Sequence, residues 1–429
     1  MILRTELRRS SAPVLGVGFL VLSLGLLYGL SGPWGKRPAA WDEEWMGLAQ
    51  WTRYLTLFLA PLVLAVGAWQ GLREKRSGVP ELFATTPRPA WRRVLPTAGA
   101  LAVALTAAYV VLLTVGGVRV AGTASYFHLK WVPVAGVMVV ALVALALLGA
   151  GIGRLVPSLV TPPVLAVAAL AGQMALLATS WQLLLTPAFD SPSIGVFTSV
   201  AVPVTLAQLL WFAGIGVTGF CLLVAVGTKA RLAALLPVAL AAAVAVPVLS
   251  TVDAVVADPD ARALVCDDRG PRVCVTAAHA DYLPTVAGTA RDVLARLEKL
   301  PSPPTSAVEV PWETGARAPA GAMPMYFPSG LPTDADKLRS RLLAGGDSRE
   351  CWDAWEASTR IETARILVAS WFTGELAPVP GTEYLWKVKR KDVQRLWQAL
   401  LALPAEKQAA RVAGMRESIQ YCRDDLDLP

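Results

Sequence analysis

Four cysteines gather in the C-terminal part of this chain, Cys266, Cys274, Cys351 and Cys422, while the fifth, Cys221, lies inside an apolar run. An even set confined to one segment is the pattern of two disulfides in an oxidising compartment. A metal site would need C-x-x-C pairs or clustered histidines, and the two histidines, His128 and His279, sit in no ligand motif. Residues 263–266 and 272–276 read as two short strands around the turn Asp267-Asp268-Arg269-Gly270-Pro271. Cys266 then faces Cys274, which leaves Cys351 to pair with Cys422 and close a long loop. Little other chemistry is on offer. H-E-x-x-H, G-x-S-x-G and G-x-x-x-x-G-K-[ST] are all absent, since Gly35-Lys36 runs on into Arg37. His279 stands alone, and Glu356 and Glu362 are spaced like a solvated helix face. No catalytic, metal or cofactor-binding residue is therefore expected.

The elements that carry these residues divide the chain in two. Seven apolar stretches, near 14–32, 54–72, 96–117, 132–153, 163–185, 204–226 and 232–251, are each long enough to cross a bilayer as a helix. None carries an Asp, Glu, Lys, Arg or His in its interior, so a driving proton or ion has no evident place to bind. Residues 1–251 hold 17 Lys/Arg against 7 Asp/Glu, and residues 252–429 hold 22 against 25. The basic balance belongs to the membrane half, and the mildly acidic remainder gives no footprint for nucleic acid. The expected fold is an all-α polytopic membrane protein of about seven spans. A mostly helical extracytoplasmic domain with a small disulfide-linked β-hairpin follows at 252–429.

Direction follows from the loops. With residues 1–13 cytoplasmic, inner segments hold twelve Lys/Arg and outer ones five: Lys36, Arg37, Arg53, Arg119 and Lys130. That is a positive-inside bias, and an odd number of spans puts 252–429 outside the plasma membrane. Trp34, Trp41, Trp45, Trp51 and Trp131 fall at outer boundaries, where interfacial aromatics belong. In the outer part, Leu283, Val286, Ala290, Val293, Leu294 and Leu297 form a helical stripe. Residues 299–332 read as an extended connection, and helices resume near 334–344, 348–374, 389–402 and 405–422. Trp352, Trp355, Trp371, Trp386 and Trp397 read as core and boundary residues of that domain.

The longest inner loop, 71–93, reads GLREKRSGVPELFATTPRPAWRR. Its charges serve orientation, but Leu82 and Phe83, bracketed by Gly78-Val79-Pro80 and Pro87-Arg88-Pro89, would also suit docking into a partner's groove. Here the chain resembles the permease subunits of type-2 ABC transporters, the ABC-2 exporter-like family. In that family the loop between the second and third spans carries a coupling helix that seats on the ATPase subunit. The matching positions are Arg73, Glu74, Lys75, Gly78, Glu81, Leu82, Thr86 and Pro87, and Phe83 joins them as a candidate coupling residue. Residues 3–11 look like the family's amphipathic interfacial helix, and 186–203, broken by Pro187, Pro192 and Pro203, sits where the family has short re-entrant helices. The resemblance covers roughly residues 1–226. The seventh span and outer domain depart from the six-span family core and look like a subgroup of actinobacterial permeases.

The resemblance implies two partners besides the bilayer: an ABC ATPase subunit, which would hold the ATP and magnesium that this chain does not, and a second permease copy or paralogue. A substrate path would be lined by polar residues on apolar spans, for which Thr106, Gln173, Ser180, Gln182, Thr205 and Gln208 are the candidates. Each could equally bond a neighbouring helix. The competing expectation is a membrane sensor or assembly protein whose outer domain binds a ligand or partner.

Overall fold

The computed structural model describes residues 12–31, 41, 44–76, 89–176, 179, 181, 183, 195–311, 318–327, 334–346, 355–421 and 426–429. The chain forms two compact units, Met1–Asp258 and Pro259–Pro429.

The first unit is helical: α1 (Ala12–Ser31), α2 (Trp45–Tyr54), α3 (Thr56–Arg76), α4 (Ala90–Val120), α5 (Trp131–Leu155), α6 (Thr161–Leu176), α7 (Val202–Val224), α8 (Thr228–Ala233) and α9 (Leu236–Thr251). Six stretches among the described residues are long and apolar enough to cross a membrane: Ala12–Gly29, Thr56–Arg73, Ala90–Val120, Trp131–Leu155, Val202–Val224 and Thr228–Thr251. These make the chain a multi-pass membrane protein. The expected span at 163–185 is represented by α6, whose 16 residues reach only about 24 Å at 1.5 Å per residue. Most of the rest of that stretch lies outside the described residues.

The bundle is organised around α5. Lipid tails are as apolar as leucine, so helices in a bilayer are held by close packing rather than by a hydrophobic drive. Here glycine supplies the closeness. Gly67 and Gly71 of α3 lie against Ala146 and Ala150 of α5, and Gly149 and Gly153 of α5 lie against Leu64 and Ala68 of α3. The paired numbers rise together, so the two helices run parallel, each presenting a G-x-x-x-G to the other. On its other side α5 takes α7, also parallel, with Gly216 on Ala144 and Gly219 on Leu147 and Leu148. Gly214 of α7 packs on Pro237 and Ala241 of α9, and Gly16 of α1 packs on Ala104 of α4.

The end of the bundle at the start of α5 is tied together. Strand β1 (Thr198–Val200) pairs antiparallel with β2 (Val255–Ala257), so the start of α7 and the end of α9 share one side. Asp258, 1% exposed, takes an ion pair from Lys130 Nζ at 2.6 Å and donates its backbone N–H to the Phe197 carbonyl at 2.9 Å. The chain therefore leaves this side along α5 and has returned to it by Gly195, and α6 lies on the returning segment. The β1–β2 ribbon was not anticipated, because three-residue strands carry too little pattern to register.

The second unit is mostly helical among the described residues, as the sequence suggests, but its β content goes beyond a single hairpin. Strands β3 (Leu264–Asp267), β4 (Val273–Thr276), β5 (Ser306–Glu309) and β6 (Ala322–Met325) form one mixed sheet in the order β3-β4-β5-β6. β3 and β4 pair antiparallel with Cys266 opposite Cys274, and the disulfide joins them. β4, β5 and β6 are parallel, which requires crossovers. The first crossover runs through α11 (Leu283–Leu297), which follows the short α10 (Pro259–Arg262); its stripe Val286, Ala290, Val293, Leu294 and Leu297 is buried on the sheet. The expected extended connection 299–332 thus contains two strands. Ala-Met-Pro-Met offers no alternation and includes Pro324, which is tolerable because β6 is an edge.

Four helices complete the unit: α12 (Ala335–Leu343), α13 (Trp355–Thr373), α14 (Glu383–Leu401) and α15 (Ala405–Tyr421). α14 begins six residues before the expected 389, and its backbone leaves helical geometry at Lys389 itself (φ −119°, ψ 22°). The buried Arg416 of α15 donates to the Leu342 carbonyl at 2.7 Å and to that of Leu343, capping α12. Burial pushes its pKa down to about 9. Trp397 is buried in the core, and Trp371 donates its indole N–H to Gln408 at 2.9 Å. Cys351 and Cys422, with the pairing expected of them, lie outside the described residues, as does Trp352. Asp267 next to the disulfide is held below the usual carboxylate range by the Arg269 side chain and backbone N–H.

A β-carbon added at Gly71 would overlap the Ala150 carbonyl oxygen, whereas one added at Gly136 of the same bundle meets nothing within 4 Å. Gly71→Ala should therefore cost about 1–3 kcal/mol and lower the melting temperature in detergent. Gly136→Ala should leave it unchanged or slightly raised. Equal melting temperatures for the two variants would contradict the glycine-mediated contact.

Candidate functional site

The chain's only deeply placed charge among the described residues of the bundle sits on α2. The sequence suggests a span beginning at 54, with Arg53 in an outer segment. Instead helix starts at Trp45, breaks at Leu55 and resumes as α3. α2 rests in a groove of α4, with Trp45 on Gly117 and Leu48 on Gly116. Trp45 also stacks on Trp131 at 5.4 Å and meets Phe127 edge-on. Trp41 is fully buried rather than interfacial. Arg53, two turns further in, is 0% exposed and donates to Gln208 Oε1 of α7. The polar run Gln50-Trp51-Thr52-Arg53-Tyr54 lowers local hydropathy enough to read as a loop, yet it packs inside.

The neighbours are polar too. Thr52 Oγ1 lies 2.9 Å from the Ala49 carbonyl, to which it donates its one proton, so the Tyr109 hydroxyl of α4 donates to Thr52 at 3.0 Å. Tyr109, Thr52, Gln50 and Gln208 are all buried. Tyr109 stands eleven residues before Val120, the end of α4, and Gln208 six after Val202, the start of α7. At 1.5 Å per residue these are depths of about 16 Å and about 9 Å from the helix ends. The cluster therefore lies well inside the span of each helix, where a charge is costly and functional by default.

The candidate path residues are only partly brought together. Gln208 joins this cluster. Thr205, one turn away on α7, is buried and bonds the Ala201 carbonyl at 3.3 Å. Gln173 is buried on α6, which packs on α3 and α5 rather than on α7. Thr106 is half-buried on α4, and Ser180 and Gln182 lie outside the described residues. Of the coupling residues, Arg73 is exposed near the end of α3, and Glu74 and Lys75 continue that helix to Arg76. Gly78, Glu81, Leu82, Phe83, Thr86 and Pro87 lie outside the described residues, as does the expected interfacial helix at 3–11. The expected loop 73–93 is thus shorter at both ends, since α4 already begins at Ala90.

In the second unit His279 is tied down. Its Nδ1 lies 2.5 Å from Glu309 Oε1, and Glu309 Oε2 accepts the Thr276 backbone N–H at 2.7 Å and its hydroxyl at 2.9 Å. Glu309 is 2% exposed and His279 7%. Both carboxylate oxygens are occupied by neighbours on β4 and the turn after it, so the pair pins β5 to β4 and offers no free base. Among the described residues no group of His, Cys, Asp and Glu could hold a metal ion. Comparison with protein-family models, characterised proteins and solved structures returned no match.

Glu309→Ala would strand the Thr276 N–H and His279 in the core. It should cost about 3–5 kcal/mol and reduce protection of β4 and β5 in hydrogen exchange. Unchanged protection there would show that the carboxylate does not hold the sheet.

Proposed function

We propose that this chain is the membrane permease subunit of an ATP-driven exporter of the ABC-2 exporter-like kind, with a separate ATPase subunit docking on the 73–93 loop. The observation that carries this reading is the sorting of charge along the bundle. Arg73, Arg76, Arg92, Arg93, Arg154, Lys229 and Arg231 belong to the end of the bundle where α3, α5 and α7 finish and α4 begins. Arg119 and Lys130 belong to the opposite end. By the positive-inside rule the first end is cytoplasmic, and the second, where the chain passes at Asp258 into the C-terminal unit, is extracytoplasmic. The span interiors supply no carboxylate that could take up a driving proton, so work has to come from a partner at the basic end. A single bundle per chain calls for a second copy or a paralogue to complete the path.

A sensor or assembly protein is the other reading, and one observation favours it. Pro259–Pro429 has its own sheet, helices and core, more than an anchor for a disulfide demands. An ATPase that copurifies with the intact complex supports the exporter, and a stable partner without ATPase activity supports the sensor.

Leu82→Asp with Phe83→Asp should abolish copurification of the ATPase subunit and the complex's ATP hydrolysis while leaving the permease folded. Retention of both would remove the docking reading. On intact cells a membrane-impermeant maleimide should reach Cys266 and Cys274 only after reductant is added. Labelling that requires lysis would place the C-terminal unit inside.

A further inference from the structure

The α2–α7 contact leaves two side-chain amide donors unmet among the described residues. Arg53 carries only N–H groups, so Gln208 must turn its oxygen toward it. The amide nitrogen of Gln208 is then left over, and it is buried without an acceptor among the described residues. Gln50 lies one turn from Arg53 on the same face of α2, and its amide nitrogen is likewise buried without an acceptor. A buried donor without a partner costs about 1–3 kcal/mol, and leaving two beside one guanidinium is a steep penalty for mere helix packing. Gln208 and Gln50 could have been leucines if α2 only needed to seat against α7.

We propose that Arg53, Gln50 and Gln208 form a binding site for an oxyanion within the outer half of the bundle, a phosphate group carried by a lipid headgroup or free in solution. A phosphate oxygen accepts several N–H groups at once and carries the charge that Arg53 complements. The guanidinium fixes the charge, and the two amide nitrogens set the position. The depth, about 9 Å from the end of α7, is within reach of a headgroup drawn inward between helices. The site does not depend on the exporter reading: it would serve a structural lipid, a regulatory anion or a transported amphiphile alike.

The test uses the full chain in detergent, with phosphatidylglycerol, phosphatidylcholine of the same acyl chains, and inorganic phosphate as probes. Retention is read by native mass spectrometry and melting temperature by fluorescence. Wild type should keep one phosphatidylglycerol at least tenfold more tightly than phosphatidylcholine if the source is a lipid. It should instead be stabilised saturably by inorganic phosphate alone if the source is a solute. Either selectivity should vanish in Arg53→Gln. Gln208→Glu is the sharper variant, because it keeps a partner for Arg53, and so the fold, while replacing the spare donor with an anion. It should melt at or above the wild-type temperature and bind at least tenfold more weakly. If neither probe is selective in wild type, the donors are met by water and the proposal fails. It fails equally if Gln208→Glu binds as wild type does.

Discussion

The near-contact of backbones along α5 is the constraint on which the membrane unit depends. With glycine at 67 and 71 on one helix and at 149 and 153 on the other, α3 and α5 approach until carbonyl oxygens occupy the space a side chain would take. In a solvent of hydrocarbon this is the available source of specificity, since burying one apolar side chain against another gains little over burying it in lipid. Because α7 packs on the other side of α5 in the same manner, three parallel helices share one axis. Parallel neighbours in a multi-pass chain are separated by returning segments, so α4, α6 and α9 take positions at the rim or between, and many of their apolar side chains, such as Val110, Val167 and Leu240, stay exposed.

That arrangement explains where polarity goes. The tight α3–α5–α7 seam has no room for a guanidinium, but α2 comes in at the end of the bundle, ahead of the break at Leu55, where α4 offers glycines and α7 offers Gln208. Arg53 is carried inward by the same helix that places Trp45 at the aromatic cluster with Phe127 and Trp131. The bundle thus carries most of its exposed cations at one end and its buried polar cluster near the opposite one. The seam between them is stiff, since each helix of it is fixed by backbone contact.

The C-terminal unit, which has no candidate membrane span among its described residues, is held differently. Its sheet is short-stranded, and four-residue strands hold few hydrogen bonds each. The unit supplements them with a disulfide between β3 and β4, the Glu309 bridge between β4 and β5, and Arg416 under the end of α12. The disulfide closes a hairpin of sequence separation 8, while the Glu309 bridge and Arg416 join segments far apart in sequence. The stem leading to it is pinned by Lys130 and the β1–β2 ribbon.

The sequence by itself determined the membrane class, most of the span positions, the charge asymmetry, the Cys266–Cys274 pair and the buried stripe of α11. These are properties of composition and period: an apolar run, a count of cations, a two-residue or 3.6-residue repeat, all readable without knowing what packs on what. Tertiary structure decided what those signals cannot hold. Arg53 reads as a loop residue until Gln208, 155 positions away, is seen beside it. The strands at 306–309 and 322–325 have no alternation because parallel strands are covered on both faces, and Glu309, polar in a core, makes sense only against Thr276 and His279. Local pattern records which surface a residue turns to solvent or to lipid. A buried polar contact records a choice of partner, and that choice exists only once the chain has folded.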